Sequence, residues 1–265
     1  MTEPSRNFVP HNRLTQPGRH AQAIDRLPAD VPALLSIVRG LLLHCDYLQL
    51  YGATAPPDTR GTLAIEARLD QVLATSAEPL TTPRPYDERA VGTCRDYALM
   101  LCSFLRHKQV PARVRCGFAT YFTPGRYEDH WICEYWHDGW IRADAQLDDE
   151  QQASLGITFD TARLPQGSFV SADEAWHLHG QDGIDAQLFG HGDARGKWFM
   201  WVNLARDCLS LHGMETSGWD TWRIAALDPP ALSRDDIDEC NRIAAQIRAP
   251  GQSAPSTLAR PFWRV

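Results

Sequence analysis

The chain has 265 residues, of which 43% are hydrophobic, so it is long enough to bury a substantial core. Its 33 acidic and 26 basic side chains give a net charge of −7, which argues against a protein that binds the phosphate backbone of nucleic acids. There is no run of about 18 apolar residues and no N-terminal signal-peptide pattern, so we expect neither a membrane partner nor export.

Seven cysteines are scattered along the chain, at positions 45, 94, 102, 116, 133, 208 and 240. An odd number in a chain of this length differs from the disulfide frameworks of small secreted domains. We therefore expect free thiols in a cytoplasmic protein. Because no CxxC pair occurs, we expect no zinc, and the sequence indicates no other metal and no cofactor. The sequence leaves the oligomeric state open.

The first part of the chain predicts a polar segment followed by two helices. Residues 1–28 are polar and rich in proline, which is typical of a flexible N-terminal arm. Residues 31–46 read as one mostly buried helix, and a loop rich in glycine, proline and threonine follows over residues 52–59. A second helix is predicted over residues 63–74, where apolar residues recur at helical spacing.

The middle of the chain changes from helix to strand. Thr93 and Asp96 form a capping-box pattern that predicts a helix beginning at Cys94. Apolar residues then alternate with polar ones over residues 114–118 and again over residues 132–136, which predicts antiparallel strands.

Three more helices are predicted towards the end of the chain, over residues 172–179, 198–212 and 233–248. No repeat or linker separates them from the preceding part. The sequence therefore predicts an α+β fold, with a single domain over residues 29–265 and extra helices at both ends.

Cys94 is the first residue of a predicted helix, a position that can make a thiol nucleophilic. The free N–H groups and the positive dipole end in the first turn of a helix lower the pKa of a thiol there. The same N–H groups can stabilise the oxyanion that forms when a thiolate attacks an acyl carbon. A lone cysteine is more often a buried apolar residue, so this interpretation depends on a base and an acid elsewhere in the chain.

A predicted hairpin after this helix supplies both partners. His130 opens one strand and Asp144 closes the next. If the loop is His137–Gly139, with Gly139 in the left-handed region, Trp136 pairs with Trp140. The numbers of any two paired residues in the hairpin then sum to 276. His130 and Asp144 then lie on one face, within reach of each other. A two-residue turn would put them on opposite faces, so the prediction depends on the length of the loop.

Three stretches around these residues resemble the transglutaminase core of bacterial transglutaminase-like proteins: GTCRDYALMLCSFLRHKQVPARVRCGFATYF, EDHWICEYW and GWIRADAQLD. The resemblance covers about residues 86–150, and similar flanking stretches extend it to about residues 30–225. It implies a papain-like α+β fold, in which an antiparallel sheet packs on the helix that carries the nucleophile. It also implies a catalytic triad, with Cys94 as nucleophile, His130 as base and Asp144 as orienting acid.

This triad predicts a cysteine-dependent acyl-transfer enzyme that works through a thioester on Cys94. The superfamily includes amine-transferring enzymes, peptidases, amidases, acyltransferases and inactive relatives, so the resemblance does not fix the reaction. Our first hypothesis is hydrolysis of an amide or peptide-like bond in a small-molecule or peptide-like substrate, because water is always present. The alternatives are an amine-accepting acyltransferase and a non-catalytic peptide-binding scaffold with a papain-like groove.

Four further residues are candidates for substrate binding: His44, Tyr86, Asp96 and Trp131. Tyr86 is in addition a candidate second donor to the oxyanion. Three of them have a clear structural alternative, because His44 can stand at a helix end, Asp96 can cap a helix and Trp131 can pack in a core.

Overall fold

The computed structural model describes residues 6–54, 61–216 and 232–248, and it has the α+β architecture that the sequence predicts, with a mixed and mostly antiparallel sheet. The described residues form two compact units. The first contains the described residues up to Val114 together with Ile132–Leu164, and the second contains Arg115–Trp131 and the described residues from Pro165 onward. The single domain expected over residues 29–265 stays a prediction. Among the described helices, none combines the length and the apolar composition needed to cross a membrane.

The first unit is built around one buried helix. Its described helices are α1 (Ala21–Asp25), α2 (Val31–Leu41), α3 (Ile65–Thr75), α4 (Cys94–His107) and α5 (Asp149–Leu155). Its strands are β1 (Leu42–His44), β2 (Ala90–Gly92), the start of β3 (Ala112–Ala119), the end of β4 (Tyr127–Trp136) and β5 (Trp140–Ala143). Every residue of α4 from Arg95 to Arg106 is buried, so this helix lies at the centre of the core. The helices predicted over residues 63–74 and from Cys94 are confirmed.

The helix predicted over residues 31–46 is shorter than expected. Helix α2 ends at Leu41, the chain continues as β1 in a parallel pair with β2, and a 3-10 helix covers Cys45–Tyr51. All three residues of β1 are buried. Because a run that is buried on every side has no helical period, the apolar pattern could not separate the end of the helix from a strand.

The polar segment before residue 28 packs more closely than a flexible arm would. Helix α1 lies within it, and Phe8, Thr15 and Ile24 are buried. The Ala112 N–H donates to the Phe8 carbonyl at 3.1 Å, and the Ser103 hydroxyl donates to the Thr15 carbonyl at 2.7 Å. The described part of this segment therefore belongs to the first unit's core, which differs from the arm expected for residues 1–28.

The hairpin of β4 and β5 has the register that the sequence predicts. The strands pair so that opposed residue numbers sum to 276, and the loop between them is His137–Gly139. The left-handed residue of the loop is Asp138, with a φ of 58°, whereas the prediction placed Gly139 in that region. Aspartate tolerates this conformation better than most residues because its short side chain can hydrogen-bond locally.

The second unit combines short strands with three described helices. Its elements are the remaining parts of β3 and β4, then β6 (Phe169–Ser171), α6 (Ala172–Asp182), β7 (Phe189–His191), β8 (Ala194–Arg195), α7 (Lys197–Leu211) and α8 (Arg234–Arg248). The strand order is β6-β3-β4-β7-β8, in which β4 and β7 are parallel. The three predicted helices are confirmed, and Ser171 and Glu174 form a capping box at the start of α6. Strands β6, β7 and β8 are too short to produce an alternating pattern, and they were not predicted.

A buried ion-pair network joins β3 to two helices of the second unit. Arg115 donates from Nε and Nη2 to the two carboxylate oxygens of Asp207, at 2.9 and 2.8 Å. Its Nη2 also donates to Asp173 at 2.9 Å, and the Cys116 N–H donates to Asp207 at 2.9 Å. Because these groups are shielded from water, each charge depends on its partners for compensation.

Candidate active site

Cys94 is the first residue of α4, as the sequence predicts. Thr93 is the N-cap, and its N–H donates to Oδ2 of Asp96 at 2.8 Å within a capping box. Cys94 therefore belongs to the first turn of the helix, where the dipole favours a thiolate. The residue is partly exposed.

The Asp96 carboxylate is held by structural contacts. It is only 4% exposed, and its two oxygens lie 3.1 Å from Nη2 of Arg68 and 3.2 Å from Nη1 of Arg95. Gly92 fits against it because a Cβ at that position would lie 2.9 Å from Oδ2. These contacts favour the capping role of Asp96, and its contact with substrate stays a prediction.

Asp144 is fixed in the first unit by hydrogen bonds on both sides. It is 1% exposed, and its Oδ1 accepts from the Gln146 N–H at 2.8 Å. Its own N–H donates to the Thr161 carbonyl, and its carbonyl accepts from Nη2 of Arg39, both at 2.9 Å. Burial lowers the pKa of the Arg39 guanidinium. Sequence reasoning missed Arg39 because nothing in the local pattern links it to a position 105 residues further along the chain.

His130 lies on β4 and is 1% exposed. Within the second unit its ring meets two aromatic rings edge-on, with centroid distances of 4.9 Å to Phe122 and 5.9 Å to Tyr121. These rings shield the imidazole from water. The sequence feature that could have identified them is a pair of neighbouring aromatic residues shortly after a predicted strand. His130 belongs to the second unit, whereas Cys94 and Asp144 belong to the first, and their assembly into a triad stays a prediction.

His44 and Trp131 make contacts typical of structural residues. His44 is buried at the end of β1, where its Nδ1 accepts from the Asp46 N–H at 3.2 Å and its ring stacks on Tyr97 at 6.4 Å. Trp131 is 1% exposed and follows His130 on β4, so alternation turns it to the opposite face of the strand. Both observations favour the structural alternatives, and the substrate-binding roles stay predictions.

Tyr86 belongs to a group of polar and aromatic side chains in the first unit. Its ring lies 4.5 Å from that of Tyr51, and the Arg89 guanidinium carbon lies 4.3 Å from its centroid. The Tyr51 hydroxyl donates to Asp148 at 2.7 Å, and burial together with this bond raises the pKa of Tyr51. We call these four residues the Arg89 cluster. Tyr86 is partly exposed and stays a candidate for substrate binding.

The seven thiols differ in their access to solvent. Five are buried and two, Cys45 and Cys94, are partly exposed. Burial raises the pKa of Cys133, Cys208 and Cys240, that of Cys208 to about 12, so these thiols stay protonated at neutral pH. The Cys45 thiol donates to the carboxylate of the next residue at 3.4 Å.

Within the described part of the chain, one group of side chains could hold a metal ion. It consists of His44, Cys45 and Asp46, whose ligand atoms lie within 4.8 Å of one another. These consecutive residues already hydrogen-bond to each other, through the Cys45 thiol and the Asp46 N–H. The expectation that the protein needs no metal and no cofactor stays a prediction.

Comparison with known proteins relates part of the chain to one family. Residues 53–145 match the family model of the transglutaminase-like superfamily. Among solved structures, a candidate cysteine protease from Cytophaga hutchinsonii is similar over 64% of this chain and 46% of its own length, with 15% identity and a TM-score of 0.41. The chain thus spans less than half of that structure. A search of the curated proteins gave no significant match.

Proposed function

We propose that the protein is a cysteine hydrolase that cleaves an amide or peptide-like bond, on the premise that residues 53–145, which match the transglutaminase-like family model, form a domain of that superfamily. The observation that carries the proposal is the position of Cys94, which is partly exposed in the first turn of the capped helix α4 and lies inside the matched region. His130 is the base, and Asp144 is the acid that orients it.

The proposed reaction has two halves. His130 removes the thiol proton, and the Cys94 thiolate attacks the carbonyl carbon of the substrate. First-turn N–H groups of α4 stabilise the oxyanion, and His130 gives its proton to the leaving amine as the C–N bond breaks. Water, deprotonated by His130, then attacks the thioester carbon, and the carboxylic acid leaves as the C–S bond breaks and the thiol regains its proton. Asp144 keeps the imidazole in the tautomer that these steps need.

The register of the hairpin supports a role for Asp144 beside His130. Continued by one pair beyond Cys133 and Ala143, the register sets Asp144 opposite Ile132. Ile132 and His130 are two residues apart on one strand, so alternation gives them the same face. The Asp144 carboxylate is therefore expected on the face of His130, as the triad requires.

Hydrolysis is proposed ahead of amine transfer because both reactions share the first half and water is always the available acceptor. Amine transfer would replace the attacking water by an amine and would release an amide. To distinguish the two reactions, an acyl donor is incubated with the protein and a primary amine. Mass spectrometry then shows whether the product is the acid or the amide.

Alkylation by iodoacetamide at pH 7 is expected to modify Cys94 at least about tenfold faster than Cys45, because a helix N-terminus and a nearby base raise the thiolate fraction. Cys45 is the matched internal control, since it is the other partly exposed thiol. Replacement His130→Ala should slow the labelling of Cys94 and leave that of Cys45 unchanged. The rates are read from peptide mass spectra at several times. A Cys94 that reacts no faster than Cys45 would contradict the proposal.

A further inference from the structure

A cavity of about 260 Å³ opens in the first unit beside the Arg89 cluster. Its apolar lining includes Leu43, Ala90 and Val91, and its polar lining includes Tyr86 and Arg89. Sites for drug-sized ligands measure about 300–1,000 Å³, so this smaller cavity fits a group of roughly the size of one amino-acid residue. Apolar walls with a few polar groups are typical of a binding site.

Arg89 lines this cavity, and its guanidinium makes few hydrogen bonds within the protein. Its Nε donates to the Arg84 carbonyl at 3.0 Å, and its guanidinium stacks on Tyr86 with a distance of 4.3 Å to the centroid. The side chain is 12% exposed, and Nη1 lies 3.6 Å from Oδ2 of Asp148, which is longer than a hydrogen bond. No described residue hydrogen-bonds to Nη2. The guanidinium therefore keeps donors for a planar acceptor such as a carboxylate.

The Asp148 carboxylate accepts hydrogen bonds from other donors, and it makes no short hydrogen bond to Arg89. Its Oδ1 accepts from the Tyr51 hydroxyl at 2.7 Å and from the Gln151 N–H at 3.0 Å. These bonds keep the carboxylate at its longer distance from the guanidinium. A ligand carboxylate can therefore approach Arg89 without displacing a short ion pair.

The cavity is close to Cys94 along the chain. Val91 lines it and stands three residues before Cys94. Three Cα steps of about 3.8 Å limit the distance between these two Cα atoms to about 11 Å. An extended substrate covers this distance with about three residues.

We propose that this cavity is a subsite for a carboxylate of an acidic, peptide-like acyl donor, and that Arg89 binds the carboxylate. This inference rests on the proposed function, because it concerns the substrate of Cys94. Asp87 also lines the cavity and opposes an anion, but it is exposed, so water and salt screen its charge. Arg89 is mostly shielded from water, so its charge acts more strongly.

Calorimetry of three peptides binding to the Cys94→Ala protein tests this subsite. The variant lacks the proposed nucleophile, so the peptides bind without being cleaved. The peptides are acetyl-Ala-Glu-Ala-amide, acetyl-Ala-Gln-Ala-amide and acetyl-Ala-Gln-Ala with a free C-terminus. At least one carboxylate peptide should bind about tenfold more tightly than the neutral amide, and the comparison identifies a side-chain or a C-terminal carboxylate as the source. Arg89→Gln should abolish the preference, Arg89→Lys should keep part of it, and Asp87→Asn should increase it about twofold.

Arg163→Gln, a change at an exposed arginine of the same unit, is the matched control and should keep the full preference. Equal affinity for all three peptides, or a preference that survives Arg89→Gln, would overturn the subsite. The melting temperature of each variant separates lost binding from lost folding, and Arg89→Lys decides the question if Arg89→Gln unfolds. If the preference is found but the wild-type protein hydrolyses none of the peptides or related esters, the hydrolase proposal fails while the subsite stands.

Discussion

Replacement of Asp144 by asparagine is expected to lower kcat/KM by about 10⁴-fold while most of the stability is kept, because the amide holds the imidazole in the wrong tautomer. An asparagine oxygen can still accept from the Gln146 N–H, which Asp144 bonds at 2.8 Å. Local structure should therefore persist. The test is kcat/KM for an ester or amide that the wild-type protein hydrolyses, measured together with the melting temperature.

Asp160→Asn is the matched control for this prediction. Asp160 is exposed, and its Oδ1 accepts from the N–H two residues later at 2.8 Å, as that of Asp144 does. The control should keep kcat/KM within about twofold of the wild-type value, because replacement of an exposed residue usually changes the stability of a protein only slightly. Comparable loss in both variants, or none in Asp144→Asn, would remove Asp144 from the proposed triad.

Replacement of Asp207 by asparagine is expected to lower the free energy of unfolding by about 3 kcal/mol, since it removes one of the carboxylates that compensate the charge of the buried Arg115. Asp207 is 0% exposed and accepts three hydrogen bonds, two from Arg115 and one from the Cys116 N–H. The loss should stay near the lower end for a broken buried ion pair because Asp173 still contacts Arg115. Urea denaturation followed by fluorescence measures it.

Asp193→Asn provides the comparison for this stability effect. Asp193 is exposed in the second unit, so its replacement should change the free energy of unfolding by no more than about 0.5 kcal/mol. If Asp207→Asn falls within the same range, the network carries little of the stability assigned to it, and the surrounding packing is the main stabilising contribution.

Local chemistry explains what the sequence could predict. The capping pair Thr93 and Asp96 fixed the start of α4 at Cys94, because a cap acts over three residues. The length of the loop at Asp138 fixed the register of β4 with β5, because a strand alternates with a period of two. The position of the nucleophile and the register of the hairpin are both consequences of short-range rules.

Features that depend on long-range contacts could not be predicted. Strand β1 exists because it pairs with β2, which lies almost fifty residues away, and its buried leucines resemble the end of a helix. The contact between Arg39 and the Asp144 carbonyl spans 105 residues. The Arg89 cluster likewise joins Tyr51 at the end of one 3-10 helix, Tyr86 and Arg89 at the two ends of another, and the helix N-cap Asp148, and no sequence motif links these positions.

Trapping of the acyl-enzyme tests the central claim most directly. The protein is mixed for short times with a p-nitrophenyl ester, quenched in acid and analysed by intact mass and peptide mapping. We expect a burst of one nitrophenol per protein, one acyl group on Cys94 that disappears with time, and neither signal in Cys94→Ala. Cys45→Ala should behave as the wild-type protein does. Turnover that continues in Cys94→Ala, or an acyl group that maps to another residue, would contradict catalysis through a Cys94 thioester.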